Sequence, residues 1–276
     1  TLFPYTTLFR SKVRTAVKRV GPDKFLLGEV WEDATTKFGF DKRRTYLLGK
    51  GLDSVMNYPF KNAVLDFVKG KPAEQAANEI LTICEHYPAP AIDTALNFLS
   101  THDTERALTV IADEPANGRG RQWQSGRCVT GDAYEEGLLR LRMAYAIIYT
   151  LPGVPCLYYG DEIAMQGYRD PFNRAFFRWD AHEQRLRPVL AQLAQLRHTC
   201  EAFRTGKLWV LRAEGGILHY QRIGEVETAE IIVNRTEHII VETLASGKST
   251  EVNPMGFTIV VEEVGHNPNH SYYDYV

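Results

Sequence analysis

The sequence predicts an α/β fold followed by a small antiparallel β-sandwich domain. Up to about residue 204, short apolar segments typical of buried strands alternate with segments of helical periodicity. Polar and acidic residues directly follow the apolar segments, a pattern typical of a site built at the ends of parallel strands. Beyond residue 205, the helical periodicity is replaced by short strand segments separated by turn residues.

Within the α/β part, the strand predictions fall at residues 25–30, 52–58, 96–99 and 154–159. Helices are predicted at residues 12–19, 73–87, 132–150 and 188–198. Asp132 and Glu135 have the spacing of a capping box for the third of these helices. Further strands are predicted at residues 208–211, 217–221, 231–233, 239–241 and 257–261.

The domain organisation follows from this change of pattern. Residues 12–204 form the predicted α/β domain, residues 205–262 the β-sandwich domain, and the polar, Tyr-rich residues 263–276 a loose tail. Residues 1–11, TLFPYTTLFRS, lack the features of a signal peptide and resemble the in-frame translation of a common DNA sequencing adapter. We expect them to be an artefact of sequence assembly, which would make the chain an N-terminally truncated fragment. The underlying nucleotide sequence tests this expectation.

Composition excludes several classes of partner. A net charge of −2 and a pI of about 6.4 provide no basic field for nucleic acid. The most apolar segment, residues 144–159, is interrupted by Pro152 and Pro155, so no membrane span is predicted. The four cysteines are too widely spaced for a metal motif. They predict free, largely buried thiols and a reducing, cytoplasmic location: Cys84, Cys128, Cys156 and Cys200.

The strongest local signal is NFLSTHDTER at residues 97–106, where an apolar strand runs into a dense polar cluster that includes His102 and Asp103. One interpretation is a catalytic site, and the other is a strand-to-loop turn with Asp103 as a helix N-cap. Glu29 in FLLGEVW has a similar setting, which favours the site. Flanking apolar residues predict that Glu29 is desolvated, which would raise its pKa and suit a general acid. The alternative for Glu29 is an acidic strand end that caps the next helix.

The loop GYRDPFNRAFFRW at residues 167–179 is crowded with aromatic and ionic groups. Such loops line sugar sites, where aromatic faces stack on C–H surfaces while Arg and Asp bind hydroxyls. The same composition also occurs in loops that merely cover the mouth of a barrel.

Several of these motifs, taken in order, resemble the α-amylase family of glycoside hydrolases. They are GEVW (28–31), FLSTHDTER (98–106) and LPGVPCLYYGDE (151–162). MNYPF (56–60) and GYRDPFNR (167–174) are similar to its neopullulanase, cyclomaltodextrinase and maltogenic-amylase branch. The resemblance, which extends to about residue 261, implies that residues 12–204 are the second half of a (β/α)8 TIM barrel.

The resemblance also implies roles for individual residues. Glu29 would be the general acid/base at the end of the fifth barrel strand, and Asp103 would stabilise the transition state at the end of the seventh. His102 would hydrogen-bond sugar hydroxyls. Further substrate contacts are expected from Trp31, Asp170 and Arg174.

The implied activity is hydrolysis of α-1,4-glucosidic bonds in maltooligosaccharides, cyclodextrins or pullulan, with retention of configuration. The family's nucleophile is an Asp in a short stretch that also carries an Arg, at the end of the fourth strand. No such stretch precedes Glu29, since Asp23 lies in a GPDK turn. We therefore expect this fragment to be inactive. No cofactor is expected, and the absence of an oxygen-rich ligand loop predicts no metal.

Three alternatives accompany this prediction. An α-glucosidase or glucosyltransferase of the same family differs only in the group that reaches the glycosyl-enzyme. A catalytically silent carbohydrate-binding or assembly module is disfavoured because Glu29 and Asp103 are both present. A generic α/β fold with capping acids is disfavoured by the three ordered motifs. Oligomeric state is left open.

Overall fold

The structure is a computed structural model that describes residues 6–39, 42–264 and 271–275. Its α-helices are α1 Thr6–Val20, α2 Tyr58–Lys69, α3 Ala73–His86, α4 Ala89–Ile92, α5 Ala107–Ala112, α6 Arg121–Ser125, α7 Gly131–Thr150, α8 Leu186–Thr199 and α9 Ala202–Thr205. Its strands are β1 Leu27–Gly28, β2 Phe38–Gly39, β3 Lys42–Arg43, β4 Ser54–Val55, β5 Leu96–Asn97, β6 Val154–Pro155, β7 Lys207–Glu214, β8 Ile217–Ile223, β9 Glu227–Asn234, β10 Ile240–Thr243, β11 Ser249–Val252, β12 Gly256–Glu263 and β13 Ser271–Tyr275.

The α/β part contains parallel strands that lie side by side in chain order. β1 pairs with β4 and β5 pairs with β6, both in parallel. A parallel bridge between Met56 and Leu96 joins the two pairs, so the order is β1–β4–β5–β6. Helices α2 to α4 connect β4 to β5, and α5 to α7 connect β5 to β6. The steps from β4 to β5 and from β5 to β6 are therefore the helical connections that the alternating sequence pattern predicts. The step from β1 to β4 departs from that pattern, because its described residues contain the β2–β3 hairpin and no helix.

Two buried asparagines tie these strands together. The amide nitrogen of Asn57 donates to the side-chain oxygen of Asn97 at 3.0 Å, and that of Asn97 donates to the carbonyl of Pro152 at 2.7 Å. The Asn57 oxygen also accepts from the backbone N–H of Phe60 at 3.3 Å and so caps α2. This chain of hydrogen bonds links the segments next to β4, β5 and β6.

The core of the α/β part lies between the strands and helices α2, α3, α5, α7 and α8. Helix α7 buries most of its length, as its apolar composition predicts. Its predicted capping box is wrong. Thr130 is the N-cap residue without a side-chain cap, and Glu135 instead accepts from Arg185 Nη1 at 2.6 Å. Glu135 thus pairs with Arg185, fifty positions later in the chain, and does not cap the start of α7.

The C-terminal antiparallel β domain is confirmed. Within the described residues its main sheet has the order β13–β12–β9–β8–β7, and β10 pairs with β11 as a separate hairpin. One face of the sheet joins the core of the α/β part, while the other packs on the hairpin through Ile232, Leu244, Val252 and Val260. Strand β11 was not predicted, because its Ser-Thr-Glu-Val sequence has only one large apolar residue.

The predicted loose tail is wrong for residues 271–275, which form β13 and pair with β12 in antiparallel register. Without β13, the N–H and C=O groups on that edge of β12 would be unpaired, and an extended Tyr-rich segment is well suited to pair there. Residues 265–270 and 276 lie outside the described residues.

Three further expectations concern the termini and composition. Of residues 1–11, residues 1–5 lie outside the described part and residues 6–11 begin α1; their origin as an artefact stays a prediction. In the part of the chain that the structure describes, no helix is long and apolar enough to cross a membrane. The cysteines are free thiols; Cys200 is buried and Cys84 and Cys156 are half-buried, but the expectation of burial is wrong for Cys128, which is exposed.

Candidate active site

Glu29, His102 and Asp103 converge at the carboxyl ends of two parallel strands. Glu29 directly follows β1, and the turn with His102 and Asp103 lies shortly after β5. One ligand atom of each side chain, a carboxylate oxygen or a ring nitrogen, lies within 4.8 Å of the others. The structure therefore brings together the three residues that the sequence analysis placed at the centre of the site.

The Glu29 carboxylate is held by two aromatic side chains. Tyr58 donates its hydroxyl to Glu29 Oε1 at 3.0 Å, and Trp31 Nε1 donates to the same oxygen at 2.9 Å. The Trp31 and Tyr58 rings are stacked, with centroids 4.6 Å apart. Trp31 therefore orients Glu29, while its direct contact with substrate stays a prediction.

The expectation that Glu29 is desolvated is wrong for this chain, because the Glu29 side chain is exposed. It directly follows β1, and the next residue, Val30, is the one that packs in the core. Its neighbour Tyr58 is the buried group, with 2% of its surface exposed. Burial, with a smaller contribution from the nearby Glu29 charge, raises the pKa of Tyr58 to about 12. The phenol therefore keeps its proton and remains a donor throughout the neutral pH range.

Tyr58 was missed as a site residue, although MNYPF was noted as a motif. The available signal was its position, since Tyr58 is the last residue of the predicted strand 52–58, much as Glu29 lies near the end of the predicted strand 25–30. We expect Tyr58→Phe to lower turnover about fivefold, because it removes one hydrogen bond of about 1 kcal/mol but keeps the ring stack. Steady-state kinetics measure the change in turnover, in an enzyme that extends this chain with the residues that supply the nucleophile. Unchanged turnover would contradict the role of the hydroxyl.

Asp103 is held from two sides. Arg174 Nη2 donates to Asp103 Oδ1 at 3.0 Å, and His102 Nε2 lies 3.2 Å from Asp103 Oδ2. Arg174 Nε also donates to the carbonyl oxygen of His102 at 2.8 Å and lies 3.1 Å from Asp170 Oδ1. The loop after β6 is thus hydrogen-bonded to the predicted catalytic turn through the Arg174 side chain. Direct contact of Arg174 and Asp170 with substrate stays a prediction.

A buried ion pair, Arg106–Asp161, contacts the backbone of this loop. Arg106 Nη1 lies 3.1 Å from Asp161 Oδ1, and both side chains are buried. Tyr145 donates its hydroxyl to Asp161 Oδ2 at 2.6 Å. Arg106 Nε in turn donates to the backbone carbonyl of Asn173 at 3.1 Å. Sequence reasoning missed this role of Arg106, because a charged residue in a polar turn is normally expected at the surface.

We expect Asp161→Asn to lower the free energy of unfolding of this chain by about 3–5 kcal/mol, since it leaves the Arg106 guanidinium buried without its counter-ion. Urea unfolding measures the change. Asp180→Asn is the matched control: Asp180 pairs with Arg178 at the surface and its loss should have no measurable effect. Equal effects of the two substitutions would contradict the buried-pair account.

A cavity of about 370 Å³ lies next to Glu29, within the size range of small-molecule sites. Its lining includes Arg10, Trp31, Tyr46 and Leu52. Among the described residues, Glu29, His102 and Asp103 also form a donor set of one imidazole and two carboxylates that a metal ion could use. The expectation that no metal binds stays a prediction.

Comparison with known proteins agrees with this architecture. Residues 3–217 match the family described as "Alpha amylase, catalytic domain". The chain is 32% identical over 234 residues to a cyclomaltodextrinase of Geobacillus thermopakistaniensis, covering 83% of this chain and 34% of that protein. It is 31% identical over 225 residues to an amylopullulanase of Thermoanaerobacter thermohydrosulfuricus, covering 76% of this chain and 14% of that protein.

Among solved structures, the ligand-free cyclic α-maltosyl-(1→6)-maltose hydrolase from Arthrobacter globiformis superposes with a TM-score of 0.78 at 25% identity. The match covers 95% of this chain and 55% of that one. Relative to the Geobacillus cyclomaltodextrinase, this chain spans about a third of the length of that protein. The family match covers most of its α/β part and contains Glu29, His102 and Asp103. The chain belongs to the α-amylase family of glycoside hydrolases.

Proposed function

We propose that this chain is part of a retaining hydrolase of α-1,4-glucosidic bonds, acting on maltooligosaccharides, cyclodextrins or pullulan. One observation carries the proposal: Glu29, His102 and Asp103 converge within 4.8 Å at the ends of parallel strands. Two carboxylates this close can both reach one glucosyl unit, with one as the general acid that glycoside hydrolysis requires and the other as a stabilising charge. By their names, the relatives reported above are a cyclomaltodextrinase, an amylopullulanase and a hydrolase of cyclic α-maltosyl-(1→6)-maltose, which supports the substrate class.

In this proposal Glu29 protonates the leaving glycosidic oxygen and later deprotonates the attacking water. Tyr58 and Trp31 hold its Oε1 atom in place. Asp103 and His102 bind hydroxyl groups of the same glucosyl unit. The Asp103 charge also stabilises the positive charge that develops on the sugar in the transition state.

We further propose that the covalent nucleophile comes from residues outside this chain. The strand order β1–β4–β5–β6 is that expected for four consecutive strands of a (β/α)8 barrel. In such a barrel the other strands would pair with β1 and β6 and place the nucleophilic Asp beside Glu29. We use "complete enzyme" for this chain extended to those residues from its source DNA. The chain alone would then be inactive, because a missing nucleophile removes the covalent step.

The test is an assay of this chain and of the complete enzyme on maltotriose, cyclodextrin and pullulan, with proton NMR of the first product. The complete enzyme should release α-anomers, and the chain alone should show no turnover. A β-anomeric product would refute retention, and turnover by the chain alone would refute the missing nucleophile. A product consisting mainly of longer oligosaccharides would identify a glucosyltransferase. A complete enzyme that binds these glucans without cleaving them would indicate a silent binding module.

A further inference from the structure

Asn173 joins the two loops that form the proposed site. It lies in the helical turn Phe172–Arg174 after β6, and its side chain is fully buried. The two N–H groups of its amide lie within hydrogen-bonding distance of three backbone carbonyls of the turn after β5, so one N–H is shared between two acceptors. The acceptors are Thr101 at 3.2 Å, His102 at 2.8 Å and Thr104 at 2.8 Å.

These three carbonyls belong to the turn that presents His102 and Asp103. These contacts fix the peptide planes on both sides of His102 and the plane that precedes Asp103, which restricts the directions in which the two side chains leave the backbone. Within the turn, Asp103 N–H donates to Thr101 Oγ1 at 3.2 Å and Thr101 N–H donates to Thr104 Oγ1 at 3.3 Å. Two of the three Asn173 contacts, at 2.8 Å, are closer than these internal bonds.

Arg174, the next residue, also contacts a side chain of this turn. Arg174 donates to Asp103 Oδ1 and to the carbonyl oxygen of His102. From the opposite side, buried Arg106 donates to the backbone carbonyl of Asn173 and keeps the helical turn in place. Asn173 thus contacts the buried Arg106–Asp161 pair through its backbone carbonyl and the proposed catalytic turn through its side-chain amide.

We propose that Asn173 is a positioning residue that fixes the positions of the His102 and Asp103 side chains relative to Glu29. In this way Asn173 would affect turnover without contacting the substrate. This inference rests on the proposed hydrolase function. A misplacement of about 1 Å in a catalytic group can cost about a hundredfold in rate. Loss of the Asn173 amide releases three carbonyls at once, which is enough to allow such a shift.

The chain contains a matched control. Asn234 is also fully buried, and its Nδ2 also donates to three backbone carbonyls, in the C-terminal β domain. The acceptors are His238 at 2.8 Å, Val252 at 3.1 Å and Asn253 at 3.0 Å. Asn234→Ala therefore removes the same kind of interaction at the same burial, but away from the proposed site.

The first measurement uses this chain and does not depend on activity. In Asn173→Ala, hydrogen exchange of the amides at residues 101–106 should accelerate by about tenfold or more, while Asn234→Ala should leave them unchanged. Should Asn173→Ala fail to fold, Asn173→Ser retains one donor and should show a smaller acceleration. Wild-type protection of residues 101–106 in a folded Asn173 variant would overturn the proposal.

The second measurement uses kinetics of the complete enzyme. Asn173→Ala should lower kcat by about a hundredfold and raise KM by a smaller factor, because displaced His102 and Asp103 weaken contacts to sugar hydroxyls but lose most in the transition state. Asn173→Ser should recover part of kcat. Asn234→Ala should retain kcat when assayed below its unfolding temperature. Equal loss of kcat in the Asn173 and Asn234 variants would reduce Asn173 to a general stabiliser. An inactive wild-type enzyme would refute the proposed function, and hydrogen exchange would then decide the positioning role alone.

Discussion

Glu29→Gln in the complete enzyme should lower kcat by about 10²–10⁴-fold, because the amide has no proton to give to the leaving oxygen. The substitution keeps the size of the side chain, and glutamine can still accept hydrogen bonds from Tyr58 and Trp31. Affinity for maltotriose should therefore stay within about threefold of wild type. Stopped assays give the rate, and calorimetric titration gives the affinity.

Glu32→Gln is the matched control for this substitution. Glu32 lies on the same loop and lines the same cavity, but it pairs with Lys37 instead of contacting Tyr58. Its change should leave kcat close to wild type. If the two variants were equally active, or if Glu29→Gln abolished binding along with turnover, Glu29 would not be the general acid.

Asp103→Asn should also lower kcat strongly, by about 10²–10³-fold, since it removes the charge that stabilises the developing positive charge on the sugar. KM should rise as well, because the acceptor geometry toward the sugar hydroxyls and toward Arg174 is disturbed. Initial rates over a range of maltotriose concentrations separate the two effects.

The control for Asp103→Asn is Asp170→Asn, because Asp170 contacts the same Arg174 guanidinium. Asp170 does not belong to the cluster formed by Glu29, His102 and Asp103. Asp170→Asn should affect kcat by less than about tenfold, because it removes an exposed ion pair and the predicted substrate contact but no charge at the cluster itself. A larger loss at Asp170 than at Asp103 would reverse the roles that we assign to them.

The main catalytic candidates could be predicted from the sequence because Glu29 and Asp103 each interrupt an otherwise apolar context close to a strand end. That pattern requires no knowledge of distant contacts. Tyr58 could have been found by the same rule, since it follows β4. The order β4–β5–β6 also follows from the alternation of strands and helices, whereas the connection from β1 to β4, which carries the β2–β3 hairpin, departs from that alternation.

Other features depend on contacts between residues far apart in the chain and could not be predicted. Asn173 acts through carbonyls about seventy positions earlier. Nothing in its neighbours distinguishes it from a surface asparagine. Glu135 has the spacing of a capping box, but the competing partner Arg185 decides its contact. The exposure of Glu29 likewise depends on which chain segments lie across the site, a property that flanking residues do not encode.

The most direct test of the central claim is azide rescue of Glu29→Ala in the complete enzyme, with 4-nitrophenyl α-maltoside as substrate. If Glu29 is the acid/base of a retaining site, its loss leaves a glycosyl-enzyme that water attacks slowly, and azide, which needs no base, should restore the rate. The account predicts an α-maltosyl azide product. Formation of the β-azide, or a Glu29→Ala enzyme as active as wild type without azide, would contradict it.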